Sequence, residues 1–360
     1  MLTYCTNVHP GESWRDCRSN LESHFLAVKE AVSPGRRFPI GLRLSGRAAR
    51  ELDANEARRF LGWCEEHDCY VLTVNGFPHG RFHGAGVKEK VYEPDWRDPE
   101  RAAYTKRLAD LLAGWLPDGV PGSISTVPVA FKRLFDPRDW SQVRRNLIDV
   151  LVHLDGIQQS RGVRIVLALE PEPLCVLETT GEVLEFFERM AFPPPLADLA
   201  GVCFDCCHQA VEFEDAGQSL RLLRESGIPI GKIQISSSLR AVGDEIQALR
   251  RFDEPVYLHQ VVARAPDGSL RRFEDLPAFF AEDPRAEECR VHFHVPIFAA
   301  HLGSCGTTQF FLEEILPRIG PEIPLEVETY SWDVLPDELR SESMVESIAR
   351  ELEWVMKRKP

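Results

Sequence analysis

The 360-residue sequence has no run approaching the roughly 18 apolar residues needed to span a bilayer, so no membrane span is expected. Its start, Met1-Leu2-Thr3-Tyr4-Cys5, lacks a basic stretch ahead of an apolar core, so no signal peptide is read and a cytoplasmic location is expected. Positive charge is in deficit: 42 Lys and Arg against 56 Asp and Glu leave a net charge of −14. That sign repels phosphate backbones and anionic lipid, which points to a small-molecule substrate and no nucleic acid. No glycine-rich phosphate loop, serine nucleophile elbow or dinucleotide fingerprint is found. Repeats, low-complexity stretches and linkers are also missing, so residues 1–360 read as one domain, with an oligomer left open. The ten cysteines are scattered, as expected of reduced buried thiols rather than a disulfide frame.

What is present is alternation. Strand-like runs lie at residues 2–8, 39–44, 70–74, 123–129, 163–169, 201–205, 231–236 and 324–328. Helical stretches lie between and after them, the first opened by Ser13 as N-cap with Asp16 three residues on. The run Val163 to Leu169 is almost continuously apolar, as in a parallel strand covered on both faces. About eight such β-then-α units predict an α/β fold, a single (β/α)8 TIM barrel. Extra material precedes the last unit. Val256 to Arg264 and Ser269 to Phe273 flank Ala265-Pro266-Asp267-Gly268, a hairpin signal, and Arg290 to Pro296 adds a strand. A β-hairpin and strand insertion at about 254–300 is therefore expected between strands seven and eight.

Barrels of this kind carry their chemistry at the carboxyl ends of the strands. There the sequence places Glu170, Asp205 with His208, Gln234, and Glu326 with Glu328; the insertion holds His292 and His294. Residues two apart on a strand share a face, so each of the last two pairs points one way. Carboxylates and imidazoles converging from separate strands suit Mn2+, Mg2+, Zn2+ or Fe2+. Each residue also has a structural reading, as an ion-pair partner, a cap or a loop imidazole. Cys203 and Cys206 form a C-x-x-C spacing, but with no second pair nearby they read as buried thiols. His9, His79, His83 and His301 are left without a role. The loop Asn75-Gly76-Phe77-Pro78-His79-Gly80 is shaped by two glycines and a proline, and either lids a pocket or simply packs.

These residues together resemble the xylose isomerase-like barrel superfamily. The resemblance is carried by Leu169-Glu170-Pro171, Asp205-Cys206-Cys207-His208, Gln234 with Arg240, and Val327-Glu328-Thr329, and covers most of the chain. Within it, residues 3–12, the Asn75-Gly76-Phe77-Pro78 loop and His292-Phe293-His294-Val295-Pro296 look like the EboE "metabolite traffic protein" branch. The resemblance implies a divalent metal held by Glu170, Asp205 and Glu328, with the two glutamates moving a proton across the substrate carbon. It implies substrate contacts by His208 and Arg240, to which Asn75 and His259 are added as candidates. The superfamily pattern has His where this chain has Gln234; an amide oxygen is a weak ligand for zinc, and His294, with His292, is the candidate replacement. The leading expectation is thus a metal-dependent isomerase or epimerase of a small sugar-like polyol. A metal-dependent phosphoester hydrolase and a non-catalytic metabolite-binding protein are the alternatives.

Overall fold

Eight of the apolar runs pair as one parallel sheet in the computed structural model, which describes residues 1–84, 86, 88–282, 285–337, 340 and 342–359. In chain order the first seven strands are β1 (Leu2–Tyr4), β2 (Phe38–Arg43), β3 (Cys69–Asn75), β4 (Gly122–Thr126), β5 (Ile165–Leu169), β6 (Ala200–Asp205) and β7 (Ile230–Ile235). Six further strands follow: β8 (Ser237–Val242), β9 (Val261–Arg264), β10 (Leu270–Phe273), β11 (Glu288–Val295), β12 (His301–Leu302) and β13 (Cys305–Thr307). Last comes β14 (Leu325–Val327), which pairs with β7 and β1 and so is the eighth barrel strand. The order β1-β14-β7-β6-β5-β4-β3-β2 closes through a parallel bridge between Cys5 and Gly41 and a hydrogen bond from Thr3 Oγ1 to the Pro39 carbonyl at 2.7 Å. Closure explains Gly41: a Cβ there would stand 2.1 Å from Glu326 Oε1 and 2.5 Å from the Tyr4 carbonyl.

The helices between the strands form where their caps say they should. Ser13 and Asp16 make both bonds of a capping box ahead of the helix that opens at Trp14. Thr179 with Glu182, and Ser343 with Glu346, do the same for Thr180–Met190 and Met344–Arg358. Among the described residues, no helix is long and apolar enough to cross a membrane. The first strand is shorter than the sequence pattern implies: after Tyr4 the chain passes into a tight turn at Thr6–Val8, fixed by the Arg43 amide donating to Thr6 Oγ1. That turn carries Asn7 to the barrel mouth, where it meets Glu328.

The material between β7 and β14 is larger than the 254–300 insertion read from sequence. It is a six-stranded antiparallel sheet, β10-β9-β11-β8-β13-β12, running from Ser237 to Thr307. Its first strand, β8, escaped the sequence reading because Ser237-Ser238-Leu239-Arg240 has no apolar run. β11 explains how this sheet serves the barrel. Cys289, Val291, Phe293 and Val295 enter a core of their own with Leu239, Phe252 and Phe279. The alternate residues Glu288, Arg290, His292 and His294 face the other way, toward the barrel.

Glu351 of the last helix ties the sheet's exit to the barrel. It is buried, and its Oε1 accepts from the Ile297 amide at 3.0 Å and from Thr329 Oγ1 at 2.7 Å. Burial raises its carboxyl from 4.5 to about 7. A folded-state value above the unfolded one means that the associated stability is present at low pH and lost as pH rises from about 4.5 through 7. Glu351→Gln keeps the acceptor without the charge. It is expected to stabilise the protein by roughly 3 kcal/mol at pH 8 and to change little at pH 4.5, read from urea unfolding at the two pH values.

Candidate metal and active site

The site is assembled from residues that follow the barrel strands. Asp205 ends β6 and caps the short helix Cys206–Val211: its Oδ1 accepts from the His208 amide at 2.9 Å and from Ser236 Oγ at 2.8 Å. This capping is why Asp and His sit three apart, since His208 lies one turn into the helix the Asp starts. Glu170 follows β5, and Glu328 follows β14 with Oε1 held by Asn7 Nδ2 at 2.7 Å and Asn75 Nδ2 at 3.2 Å. Glu170, Asp205 and Glu328 each offer a carboxylate oxygen, all three within 4.8 Å of one another and all buried. His294 reaches the same place from β11. Its Nδ1 faces the Glu328 carbonyl at 2.9 Å, which can only accept, so the ring carries its proton there and presents a bare Nε2. Asp205, His208 and His294 again lie within 4.8 Å of one another.

The electrostatics ask for a cation. Burial lifts the Glu170 carboxyl to about 7 against the pull of His208 and Lys232. Glu328 is pushed well above the carboxylate range by burial and then by the charges of Glu170 and Asp205. Burial acts upward on Asp205 too, but His208 and His294 outweigh it and hold the carboxyl low. Burial holds His294 down at about 4, so it is neutral at pH 7. Glu170 Oε2, Asp205 Oδ2 and His294 Nε2 are all buried and without a hydrogen-bond partner among the described residues. Unpartnered lone pairs on converging carboxylates and an imidazole fit a divalent cation.

Above this cluster opens a cavity with an empty volume of about 520 Å³. Glu170, Glu172, His208, His292 and Glu328 line its floor, and Phe77, Phe82, Tyr92, Tyr257 and Tyr330 its walls.

No family model and no curated protein matches the sequence. Solved structures do match the fold. A xylose isomerase-like TIM barrel protein from Mycobacterium smegmatis, in complex with magnesium, aligns over 99% of this chain and 95% of its own with a TM-score of 0.54 at 11% identity. D-psicose 3-epimerase from Clostridium cellulolyticum H10, solved with D-tagatose, aligns over 99% and 96% with a TM-score of 0.51 at 13% identity. The probable 3-DHS dehydratase AsbF from Bacillus anthracis aligns over 99% and 98%, also at 0.51, with 12% identity. This chain has the xylose isomerase-like TIM-barrel fold.

Within that barrel, two candidates are displaced from their expected roles, and a third, Gln234, lies on β7 beside Asp205 with its amide oxygen accepting from Cys203 Sγ at 3.2 Å. Arg240 does not line the cavity. It sits on β8 in the antiparallel sheet, bound to Glu288 through Nε at 2.8 Å, because the chain reverses after β7 and carries it away from the mouth. His259 is buried behind the site, its Nε2 2.8 Å from Glu254 Oε1 and its Nδ1 3.2 Å from the His292 carbonyl, so it supports β11 rather than facing the cavity. Glu326 lies deeper in the barrel and pairs with Lys232. Of the unassigned histidines, His83 reaches the mouth, 2.8 Å from Tyr257 Oη, while His9 stacks on His24 and His79 meets Tyr104 edge to face. Cys203 and Cys206 are buried free thiols with raised pKa values.

Four residues of the site were not singled out by sequence. Glu172 follows Glu170 by two and so shares its direction, a signal available in Leu169-Glu170-Pro171-Glu172. Asn7, Gln260 and Tyr330 carried no such signal; their roles come from long-range contacts with Glu328 and His292.

Proposed function

We propose that this protein is a divalent-metal-dependent isomerase or epimerase of a small, sugar-like polyol, with Glu170 and Glu328 exchanging a substrate proton. The observation that carries the reading is the pair itself: two buried glutamates that converge at one point, both with carboxyls raised by burial and Glu170 at about 7, beneath an aromatic-lined cavity. A carboxyl near neutrality can take a proton from carbon and return it at working pH, which is what general acid–base catalysis requires. Glu170, Asp205, Glu328 and His294 would hold the ion, which when bound supplies Lewis-acid stabilisation of a developing oxyanion. Asn7 and Asn75 orient Glu328 by donating to its Oε1. His208 lies on the cavity floor with burial pulling its imidazole down and Asp205, Glu172 and Glu170 lifting it above its ordinary value. It would therefore donate to a substrate oxygen. The aromatic walls exclude water and offer apolar faces to the C–H side of a ring or chain. Similarity of fold to a sugar epimerase and a dehydratase supports this class of chemistry.

The test is exchange of the carbon-bound hydrogen of candidate ketoses and polyol ketones in D2O. Glu170→Gln and Glu328→Gln are each expected to slow exchange by about 10² to 10⁴-fold, the usual weight of a positioned acid or base. Wild-type exchange that both variants reproduce would remove the proton-transfer assignment.

A further inference from the structure

We propose that Glu172 forms an amine subsite, so that the polyol this cavity takes carries an ammonium group. This names the substrate class of the reading above and rests on it. Glu172 lines the cavity at 5% exposure. Its Oε1 accepts from Tyr92 Oη at 2.6 Å and lies 3.4 Å from Gln260 Nε2. Tyr92 Oη in turn accepts from Gln260 Nε2 at 2.8 Å, so the phenol hydrogen is free for the carboxylate. The Gln260 amide is fixed in that sense, because its Nε2 also donates to the Pro173 carbonyl at 3.2 Å and its Oε1 faces His292 Nδ1 at 2.8 Å. Glu172 is therefore held as an acceptor, and its second oxygen has no hydrogen-bond partner among the described residues.

What Glu172 lacks is a cation. Among the described residues no lysine or arginine pairs with it, and the basic side chain within ion-pair distance is His292, at 3.5 Å. That ring spends its Nδ1 hydrogen on Gln260 instead. Lys88 lines the same cavity but gives its ammonium to Asp275 Oδ2 at 2.7 Å and to the Tyr257 carbonyl at 2.8 Å. His208 faces Asp205 at 3.9 Å. One divalent ion and a charged His208 balance Glu170, Asp205 and Glu328, which leaves Glu172 over. A buried carboxylate without a counter-charge is costly, and a charge-assisted bond to an ammonium offsets that cost. A second acceptor waits in the same cavity. Asn7 is 2% exposed, its Nδ2 donates to Glu328, and its Oδ1 is buried without a partner among the described residues. A ligand rich in donors suits both, and an ammonium has three donors and no acceptor. Phe82, Tyr92, Tyr257 and Tyr330 on the walls add ring faces, to which a cation is drawn. A phosphate or carboxylate on the substrate would instead meet Glu172 and be repelled.

The test is calorimetric binding of probe pairs that differ only by amine for hydroxyl: D-glucamine against D-glucitol, and isoglucosamine against D-fructose. Wild-type protein in Mg2+ is expected to bind the amine of each pair more tightly by about 10- to 100-fold, the weight of a hydrogen bond to a charged group. The preference should vanish at a pH where the amine is neutral, a readout that needs no variant to fold. Glu172→Gln keeps an acceptor for Tyr92 Oη and is expected to lose the preference, binding both members of a pair alike. Equal affinity within each pair in the wild type, a preference that Glu172→Gln retains, or no binding of either amine at millimolar concentration would overturn the subsite. Hydrogen exchange of D-fructose in D2O that needs Glu170 and Glu328, without amine preference, would overturn the subsite alone. Amine preference without exchange of either ketose would support the subsite and remove the proton-transfer reading.

Discussion

Asp205→Asn is expected to abolish Mg2+ binding while leaving the fold in place. Asp205 does two separable jobs. Its Oδ1 accepts from the His208 amide and Ser236 Oγ, and an asparagine oxygen can take over both bonds. Its Oδ2 is buried, unpartnered among the described residues and aimed at the converging carboxylates, and an amide NH2 there repels a cation. Loss of a ligand should exceed the roughly 10–100-fold that loss of an outer hydrogen-bond partner costs. Helix Cys206–Val211 should survive, since asparagine caps about as well as aspartate. Calorimetric Mg2+ titration and circular dichroism on the same sample check both halves. Unchanged Mg2+ affinity would mean that the cluster is not the ion's seat.

The second large effect is on stability. Lys232 and Glu326 form an ion pair fully buried inside the barrel, below the site. Burial pulls the ammonium down, but Glu326 and then Cys203 and Cys5 lift it well above its ordinary value, so it stays charged. Removing one partner leaves a charge in a dry core. Lys232→Met or Glu326→Gln alone is expected to destabilise by about 3–5 kcal/mol, with most of it recovered in the double variant, because no orphan charge remains. Urea midpoints of the three variants decide it. Equal stability of single variants and wild type would contradict a buried charged pair.

Much of the barrel could be read from pattern because parallel strands buried on both faces leave apolar runs, as at Ile165–Leu169. The acidic cluster was readable for a related reason: Glu170, Asp205 and Glu328 each sit at or just after the end of such a run, where the barrel places its mouth. The insertion resisted. β8 begins Ser237-Ser238, too polar to stand out, and without it the reversal after β7 is invisible. Arg240, six residues after Gln234 in the chain, therefore looked near the site and is not. His292 and His294 were recognisable as a same-face pair, but their targets were not. A β11 irregularity between Val291 and His294, together with the Glu328 carbonyl and Gln260, decides where each ring points. Contacts spanning hundreds of residues, such as Asn7 to Glu328, leave no trace in local spacing.

The most direct test is a crystal grown or soaked with Mn2+ and measured at a wavelength where manganese scatters anomalously. The account predicts a peak within about 2.0–2.2 Å of carboxylate oxygens from Glu170, Asp205 and Glu328, with His294 Nε2 completing the shell. An ordered site without that peak at saturating Mn2+, or manganese bound only elsewhere, would contradict it.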